Sequence, residues 1–376
     1  MTEIYLIRHA QAEGNLYRIM QGHWDGEVTD LGLKQIEALS HRFEDVHIDA
    51  VYSSDLSRTI MTASAVTGPH HLPLTTVPAL REIHLGPWET RFFANLFYDE
   101  PEAANHFVND PEKWSVEGAE TYGQVQERSY AALVEIARQH EGQTVVVVSH
   151  GVTCRCLLAK ICGIGLSETK KLPIGGNTAV SKLIWQDGRF TAEYINDSSH
   201  LAALPAVPWS AVPDFRHEIL DPAVEREYYT ACYADAWAAA HGGHTGFSAE
   251  PYLTAAMEHH RRYPGAVLKI CDQDRPAGLV DLDTARGAHA GYGWISLLYL
   301  KPEYRYRGGG VQLLARAIST YAALGRSALR LHVAEDNTAA AAFYRRWGFE
   351  LLSAENTGGS RLLLMEKKLG RNWREC

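Results

Sequence analysis

Two histidines lie at the ends of strand-like segments and could together handle a phosphate group. His9 follows Arg8 at the end of EIYLIRHA, and His150 ends TVVVVSH, both segments being rich in β-branched residues. We predict that both segments are parallel strands of one α/β sheet. Such sheets bind ligands at the carboxyl ends of their strands, which is where both histidines lie. Arg58 begins the helix pattern after the strand AVYSS, so a third strand end could bring a second guanidinium to the same edge.

These residue types suit phosphoryl transfer. A guanidinium binds two phosphate oxygens at once, and helix N-termini add main-chain donors. Imidazole attacks phosphorus well, and a phosphohistidine intermediate would divide hydrolysis into two easier steps. The leaving group also needs an acid, for which Glu82 in LREIHLGPWE is a candidate.

A zinc site is the alternative interpretation, since imidazole is a common zinc ligand. The fixed charges of Arg8 and Arg58 on the same edge would repel a metal ion, so the sequence favours catalysis and predicts no metal site. The remaining histidine clusters lie in polar turns or on a helix face and are expected to be solvated. They are His70, His71, His241, His244, His259 and His260.

Residues 1 to about 197 resemble the histidine phosphatase (phosphoglycerate mutase-like) superfamily. The resemblance covers about half of the chain, and the combination of motifs is specific. Its elements are RHA at 8–10, Asn15, DGEVTDLG at 25–32 with Gln35, VYSSDLSRT around Arg58, Glu82 with GPWE, and SHG at 149–151.

This resemblance implies a three-layer α/β sandwich and a role for each of these side chains. His9 would be the phosphorylated nucleophile and Glu82 the proton donor, and the domain would need no cofactor. The phosphate pocket would be formed by Arg8, Asn15, Gln21, Gly22, Arg58 and His150.

Two positions depart from the family pattern, with Ala10 and Thr90 standing where glycine is usual. If position 10 required a positive φ, its side chain would add roughly 1 kcal/mol of strain and slow the site. Residues 91–118 are expected to cap the pocket and are shorter than the insertion of glycolytic mutases, which favours a phosphatase over a mutase. Aromatic residues in and before this cap could contact substrate or simply pack: Trp88, Phe92, Phe93, Phe97, Tyr98 and Trp114.

A second site is indicated in LYLKPEYRYRGGGVQLLARAI, where a strand, a glycine-rich turn and a helix follow one another. Main-chain N–H groups of such a turn can form an anion cradle, although a simple tight turn would have a similar sequence. Further along, ALRLHVAEDNTAAAAFYRRWG places Asn337 after a strand and Tyr344 within the next helix.

Residues from about 214 to 370 resemble the GNAT family of acetyl-CoA-dependent N-acetyltransferases, which implies a mixed α/β fold. Asn337 would contact the cofactor arm, and Tyr344 would protonate the departing thiolate. The base that accepts the amine proton stays open among Asp281, Asp283, Glu335 and a water chain. The pyrophosphate of acetyl-CoA would be held by the main-chain amides of Arg305, Tyr306, Arg307, Gly308, Gly309 and Gly310.

Length and composition favour two domains. A chain of 376 residues exceeds what one core usually organises. Prolines at 205, 208 and 213 indicate a linker at 198–213, between domains at 1–197 and 214–376. Residues 1–200 hold 16 Lys and Arg against 26 Asp and Glu, a net charge of −10, and residues 201–376 hold 20 against 19, a net charge of +1. Neither half is basic enough to favour nucleic acid, so a small phosphorylated metabolite and a small amine are the expected partners.

The six cysteines show no CxxC spacing and are expected to be reduced thiols of a cytoplasmic protein. We expect no leader, because Met1 leads within two residues into a strand and no basic stretch followed by an apolar one is present. We expect no membrane segment, because no apolar run approaches ~18 residues. The sequence thus predicts a bifunctional phosphatase and acetyltransferase of undetermined oligomeric state. The alternatives are a phosphomutase or phospholigand-binding module in the first domain, and an acetyl-CoA sensor without turnover in the second.

Overall fold

The chain folds around two separate β-sheets, which the computed structural model describes at residues 1–173, 175–204, 214–357 and 360–369. The sheets belong to two units, Met1–Val207 and Pro208–Cys376. Residues 205–213 of the predicted linker lie outside the described residues, so the domain boundaries stay predictions. Within the described ranges, no helix is both long and apolar enough to span a bilayer.

The first sheet has six strands, of which the first four in space are parallel. Their spatial order is β3-β2-β4-β1-β5-β6. Strand β5 pairs antiparallel with β1, and β6 pairs antiparallel with β5. In chain order the strands are β1 (Thr2–Arg8), β2 (Ala50–Ser53), β3 (Leu74–Thr76), β4 (Thr144–Ser149), β5 (Val180–Gln186) and β6 (Arg189–Asp197).

Helices cover both faces of this sheet, as the predicted three-layer sandwich requires. Because side chains alternate along a strand, Val145 and Val147 of β4 pack on one face, and Val146 and Val148 pack on the other. The helices of the first unit are α1 (Glu13–Tyr17), α2 (Asp30–Phe43), α3 (Ser57–His70), α4 (Phe93–Asp99), α5 (Pro101–Asn109), α6 (Tyr122–Gln139) and α7 (Gly151–Ile161). The core of the first face includes residues of α6 and α7, and that of the second face includes residues of α2 and α3.

The second unit has a seven-stranded mixed sheet in the order β12-β13-β11-β10-β9-β8-β7. Among its described strands, only β10 and β11 pair in parallel, and their register covers just three residues, Tyr292–Trp294 against 328–330. The strands are β7 (Arg216–Ile219), β8 (Val267–Asp272), β9 (Arg275–Asp283), β10 (Tyr292–Leu300), β11 (Ala328–Ala334), β12 (Glu350–Thr357) and β13 (Ser360–Lys368).

The helices of the second unit differ from expectation at one end. In the sequence, residues from about 215 to 240 show a pattern that predicts one helix. In the structure, residues 216–219 form β7, which pairs with β8, and the helix begins at Arg226. Edge pairing of a short polar segment depends on its neighbour and leaves little local signal. The helices are α8 (Arg226–His241), α9 (Ala249–Arg262), α10 (Gly310–Ala323) and α11 (Thr338–Arg346).

Three histidines that were expected to be solvated are instead half-buried: His70, His259 and His260. His259 of α9 donates from Nδ1 to Asp281 at 2.7 Å and lies 3.5 Å from Asp283 through Nε2. Burial opposes the charged imidazole, but these two carboxylates raise the pKa of His259 to about 9. For His259 the expectation was wrong because α9 places this position against the end of β9, where two aspartates need a cationic partner.

Candidate active site

The register of the first sheet brings the predicted phosphate-site residues to one edge. Arg8 of β1 lies opposite Ser149 of β4, and Ser53 of β2 lies opposite Val148. His9 and His150 therefore both leave the sheet at its carboxyl edge, as predicted. Their ring centroids are 5.3 Å apart.

The state of His9 suits a nucleophile. Its side chain is buried, and its Nδ1 lies 2.7 Å from the carbonyl oxygen of Ala10. A carbonyl can only accept, so Nδ1 carries the proton and Nε2 keeps its lone pair. Burial, with the charges of Arg58 and then Arg8, lowers the pKa of His9 well below its ordinary value, so the ring is neutral at pH 7.

Both predicted arginines lie near His9 and are held by main-chain carbonyls. Arg58 is fully buried and donates to the oxygens of Gly22 at 2.8 Å and Trp24 at 3.0 Å, with Asp25 at 3.3 Å. Arg8 donates from Nη1 to the carbonyl of Gly175 at 2.6 Å. The Nε atoms of both guanidiniums are buried without a hydrogen-bond partner in the described part of the chain. Each can therefore offer a donor to an anion.

Glu82 contacts the start of α7, the helix that follows His150. Its Oε1 accepts from the N–H groups of Val152 and Thr153, both at 3.1 Å, and from its own neighbour Ile83 at 3.1 Å. The first two donors belong to a helix N-terminus, so they stabilise negative charge on Glu82. After Glu82 gives up a proton, the resulting carboxylate can keep these hydrogen bonds.

His150 has a buried partner that the sequence did not reveal. Its Nε2 lies 2.9 Å from Oγ of Ser54, which is fully buried at the end of β2. Burial, followed by the charge of Arg58, lowers the pKa of His150 well below its ordinary value. Only position distinguishes Ser54 from its neighbour Ser53, so the repeated serine alone could not single it out.

Two further polar side chains near His9 were not predicted from the sequence. Thr62 of α3 accepts from the Ala10 N–H at 2.8 Å and donates to the Arg58 carbonyl at 2.6 Å. Asn177 donates to the His9 carbonyl at 3.0 Å. Both hold main chain on either side of the nucleophile, and neither belongs to a motif that sequence reasoning recognises.

The three remaining pocket candidates lie nearby in the fold with distinct surroundings. Asn15 accepts through Oδ1 from the Ala12 N–H at 3.1 Å and from Asn177 at 3.3 Å. Gly22 has a φ of +52° and contributes the carbonyl that Arg58 binds. Gln21 packs on Gly14, where a β-carbon would lie 2.0 Å from its Cγ.

The strain anticipated at position 10 is found at position 90 instead. Ala10 is buried and is not among the residues with positive φ, so it fits without left-handed strain. Thr90 has a φ of +68°, a region that disfavours β-branched residues. The family glycine therefore matters for backbone conformation at 90 rather than at 10.

The aromatic residues of the cap serve mainly as packing. Trp88 and Trp114 are 1% exposed, lie 5.4 Å apart and share a cluster with Tyr122 of α6. The indole N–H of Trp88 donates to Glu100 at 2.9 Å. Phe92 is also buried, whereas Phe97 and Tyr98 are exposed on α4.

The glycine-rich turn of the second unit precedes α10 as predicted. Gly308 has a φ of +77°, and Gly309 is the N-terminal capping residue without a side-chain cap. A β-carbon at Gly309 would lie 2.5 Å from the Phe215 ring, and one at Gly310 would lie 3.1 Å from Phe343. The turn thus combines an uncapped helix start, which suits an anion, with close packing underneath.

The arginines of this turn are not equivalent. Arg305 donates from Nε to the Leu300 carbonyl at 2.8 Å and lies 3.3 Å from Asp235, so it braces the turn. Arg307 is exposed, and Tyr306 is 94% exposed with a φ of +61°. Arg307 is the freer of the two to meet a ligand.

The other acetyltransferase candidates lie in α11 and β9. Asn337 caps α11 by accepting from the Ala340 N–H at 3.2 Å. Burial raises the pKa of Tyr344, so its phenol keeps its proton at pH 7 and can donate it. All three candidate bases take part in ion pairs: Asp281 and Asp283 with His259, and Glu335 with Arg361.

Two family models match the chain, one in each of its two units. The model of the histidine phosphatase superfamily (branch 1) matches residues 4–198, and that of the acetyltransferase (GNAT) family matches residues 225–349. Phosphoserine phosphatase 1 of Hydrogenobacter thermophilus is 32% identical over 168 residues, 45% of this chain and 80% of its own length. Probable phosphoglycerate mutase GpmB of Yersinia pestis is 29% identical over 206 residues, 54% of this chain and 95% of its own. Among solved structures, Bacillus stearothermophilus YhfR is 33% identical with a TM-score of 0.52, and the alignment covers 54% of this chain and 100% of that protein.

Proposed function

This chain belongs to the histidine phosphatase superfamily, and from that premise we propose that its first unit hydrolyses small phosphomonoesters through a phosphohistidine intermediate. The observation that carries the proposal is the buried His9 ring, whose Nδ1 is held by the Ala10 carbonyl and whose centroid lies 5.3 Å from that of His150. Arg8 and Arg58 stand close enough for their charges to lower the pKa of His9. A phosphoryl group between these cations would meet a nucleophile with a free lone pair.

In the first step, Nε2 of His9 would attack phosphorus while the bond to the leaving oxygen breaks. Glu82, entering this step protonated, would give its proton to that oxygen. The N–H groups of Val152 and Thr153 would stabilise the carboxylate that remains. Donors from Arg8, Arg58 and His150 would stabilise the charge on the phosphoryl oxygens.

In the second step, Glu82 would accept a proton from a water molecule as the water oxygen attacks phosphorus. The P–N bond breaks, its electron pair returns to Nε2 of His9, and inorganic phosphate leaves. The enzyme then regains its neutral imidazole and its protonated acid. No proton needs to be stored on His9, which agrees with the lowered pKa of that ring.

A phosphatase is favoured over a mutase by the size of the cap. The cap helices are α4 and α5, of seven and nine residues, between Glu82 and α6. A mutase must retain the phosphoryl group until the second substrate oxygen attacks, which a more enclosing insertion would assist. The relatives include proteins named for each activity, a phosphoserine phosphatase and a probable phosphoglycerate mutase.

Release of phosphate from p-nitrophenyl phosphate tests this function. The full chain should turn the substrate over with inhibition by vanadate, and His9→Ala should remove the activity. Addition of a second alcohol acceptor distinguishes a mutase, which would pass the phosphoryl group to that acceptor in preference to water. Binding of phosphate without turnover in the unaltered chain would support a phospholigand-binding module instead.

For the second unit, we propose acetyl transfer from acetyl-CoA to a small amine. The uncapped start of α10 behind Gly308 fits the pyrophosphate, and Arg307 can add charge to it. Acetyl-CoA would supply the activated acetyl group. Tyr344, kept neutral by burial, would donate its proton to the departing sulfur.

The engagement of all three candidate carboxylates bears on the base. With Asp281 and Asp283 bound to His259, and Glu335 to Arg361, a water chain is the favoured route for the amine proton. Thiol release from acetyl-CoA with a panel of amines tests transfer. Saturable binding of acetyl-CoA with no thiol release for any amine would instead indicate a sensor.

A further inference from the structure

One arginine beside the phosphate pocket lacks a polar partner in the described part of the chain. Arg155 lies in the first half of α7 and is half-buried. Within the described ranges it makes neither a hydrogen bond nor an ion pair. Other half-buried arginines of this unit do have carboxylate partners, such as Arg42 with Asp197 and Arg128 with Glu120.

The helix geometry directs Arg155 toward the pocket. Position 151 faces Arg8, because a β-carbon built on Gly151 would lie 3.4 Å from the guanidinium carbon. Residues four apart share one helix face, and helix side chains tilt toward the N-terminus. Arg155 therefore extends along the face that is directed at Arg8. Its charge accordingly adds to burial in lowering the pKa of Arg8.

Two guanidiniums in this arrangement repel each other, and no residue of the described chain forms an ion pair with Arg155. A half-buried charge without a counter-charge is costly, and it is retained more readily where a ligand supplies the opposite charge. In the proposed reaction Arg8 is occupied by the phosphoryl group. Arg155 then remains for a second anion on the same substrate.

We propose that Arg155 binds a second anionic group on the organic part of the phosphomonoester, and so selects substrates that carry one. This inference rests on the proposed phosphatase function and narrows its substrate class. A carboxylate suits the planar fork of a guanidinium, which can bind both oxygens at once. Arg155 is thus a specificity residue and takes no part in the transfer of the phosphoryl group.

Matched substrates measure this selection. O-phosphoserine and O-phosphoethanolamine differ by one carboxylate, as do 3-phosphoglycerate and glycerol 3-phosphate. For each pair, the ratio of kcat/KM values gives the preference for the carboxylate. In the full chain, Arg155→Met should reduce this ratio roughly tenfold or more, the size expected for one charge-assisted contact. Arg155→Lys keeps the charge but loses the fork, so it should reduce the ratio by less.

Taking ratios removes any loss that the two substrates share, including one caused by altered folding. Ratios that stay within about twofold of the unaltered chain in both variants would overturn the inference, provided that turnover still depends on His9. Hydrolysis of p-nitrophenyl phosphate by the unaltered chain, but of none of the four matched substrates, would also overturn the inference. If the unaltered chain does not hydrolyse p-nitrophenyl phosphate either, the proposed function itself fails. The two failures are therefore distinguishable.

Discussion

Nε2 of His150 lies 2.9 Å from the hydroxyl oxygen of Ser54, and both side chains are fully buried. Nδ1 of His150 has no hydrogen-bond partner among the described residues. If the Ser54 hydroxyl donates to Nε2, the ring proton must be on Nδ1, where it can be offered to a phosphoryl oxygen. The serine thus selects the tautomer that makes a neutral histidine a donor.

Loss of the Ser54 hydroxyl should reduce turnover without abolishing it. We expect Ser54→Ala to lower kcat/KM for p-nitrophenyl phosphate roughly tenfold, because the wrong tautomer of His150 then becomes accessible. Ser53→Ala is the matched control, since Ser53 is also buried but donates to the Ser54 carbonyl and bonds to no imidazole of the described chain. Equal losses in both variants would assign the effect to packing.

Thr90 stores backbone strain that glycine would relieve. Its φ of +68° costs a β-branched residue about 1 kcal/mol or more, so Thr90→Gly should raise the free energy of unfolding of the first unit by about that amount. Chemical denaturation followed by a probe of that unit measures it. Unchanged or lower stability would contradict the strain argument.

Thr178 provides the comparison for Thr90. It also has a positive φ, of +56°, but it is fully buried, and its hydroxyl lies 3.1 Å from Nε2 of His200 and donates to the Asn177 carbonyl. Thr178→Gly should therefore destabilise the unit, because lost contacts outweigh the relief of strain. Stabilisation by both substitutions would mean that backbone conformation alone decides.

The pKa values of these histidines should be shifted in opposite directions. Burial holds the pKa of His9 and His150 well below 6.5, whereas the paired carboxylates raise that of His259 to about 9. In a ¹⁵N NMR titration from pH 8 to pH 6, the first two should stay neutral and His259 should stay mostly protonated. An inflection of His9 near 6.5 would contradict the assigned environment.

These shifts also set the sign of the pH dependence of stability. Below pH 6.5 the unfolded chain binds protons at His9 and His150 that the folded chain does not, so the first unit loses stability as the pH falls. Each group contributes up to ~1.4 kcal/mol per pH unit between 6.5 and its folded pKa. For His259 the sign is reversed: its contribution to the second unit is complete below pH 6.5 and is lost as the pH rises toward 9.

In the second unit, Tyr344→Phe should lower kcat for acetyl transfer roughly tenfold to a hundredfold while the KM for acetyl-CoA changes little. The reason is that the phenol is proposed to act only on the departing sulfur. Tyr306→Phe is the control, because it removes a hydroxyl from a 94% exposed side chain and leaves in place the main-chain N–H that is proposed to meet the pyrophosphate. A rise in KM with unchanged kcat for Tyr344→Phe would instead give this residue a binding role.

Strand direction made the phosphate site predictable from the sequence. Parallel strands share a carboxyl edge, so a histidine at the end of each of two such strands had to meet its counterpart, and Arg58 lies within one helical turn beyond a third. The helix expected after AVYSS was likewise found, as α3. The exception at residues 216–219 arose because an edge strand such as β7 depends on its partner β8.

Contacts between distant segments could not be predicted in this way. Ser54 becomes functional only because β2 and β4 are neighbours, and Asn177 because the chain before β5 returns beside His9. Position 90 differs from position 10 in φ, although glycine is usual at both in the family. Arg155 was not part of any motif recognised in the sequence, and its significance comes from the helix face at position 151, which is directed at Arg8.

Trapping the phosphorylated enzyme is the most direct test of the proposed chemistry. The full chain is mixed with ³²P-labelled phosphomonoester, quenched in alkali, which preserves phosphohistidine, and digested for peptide mapping. We expect acid-labile label on the peptide containing His9, and its loss in His9→Ala but not in His71→Ala, a histidine of the surface turn after α3. Phosphate release at an undiminished rate by His9→Ala, or stable label on another residue, would contradict the role of His9 as the nucleophile.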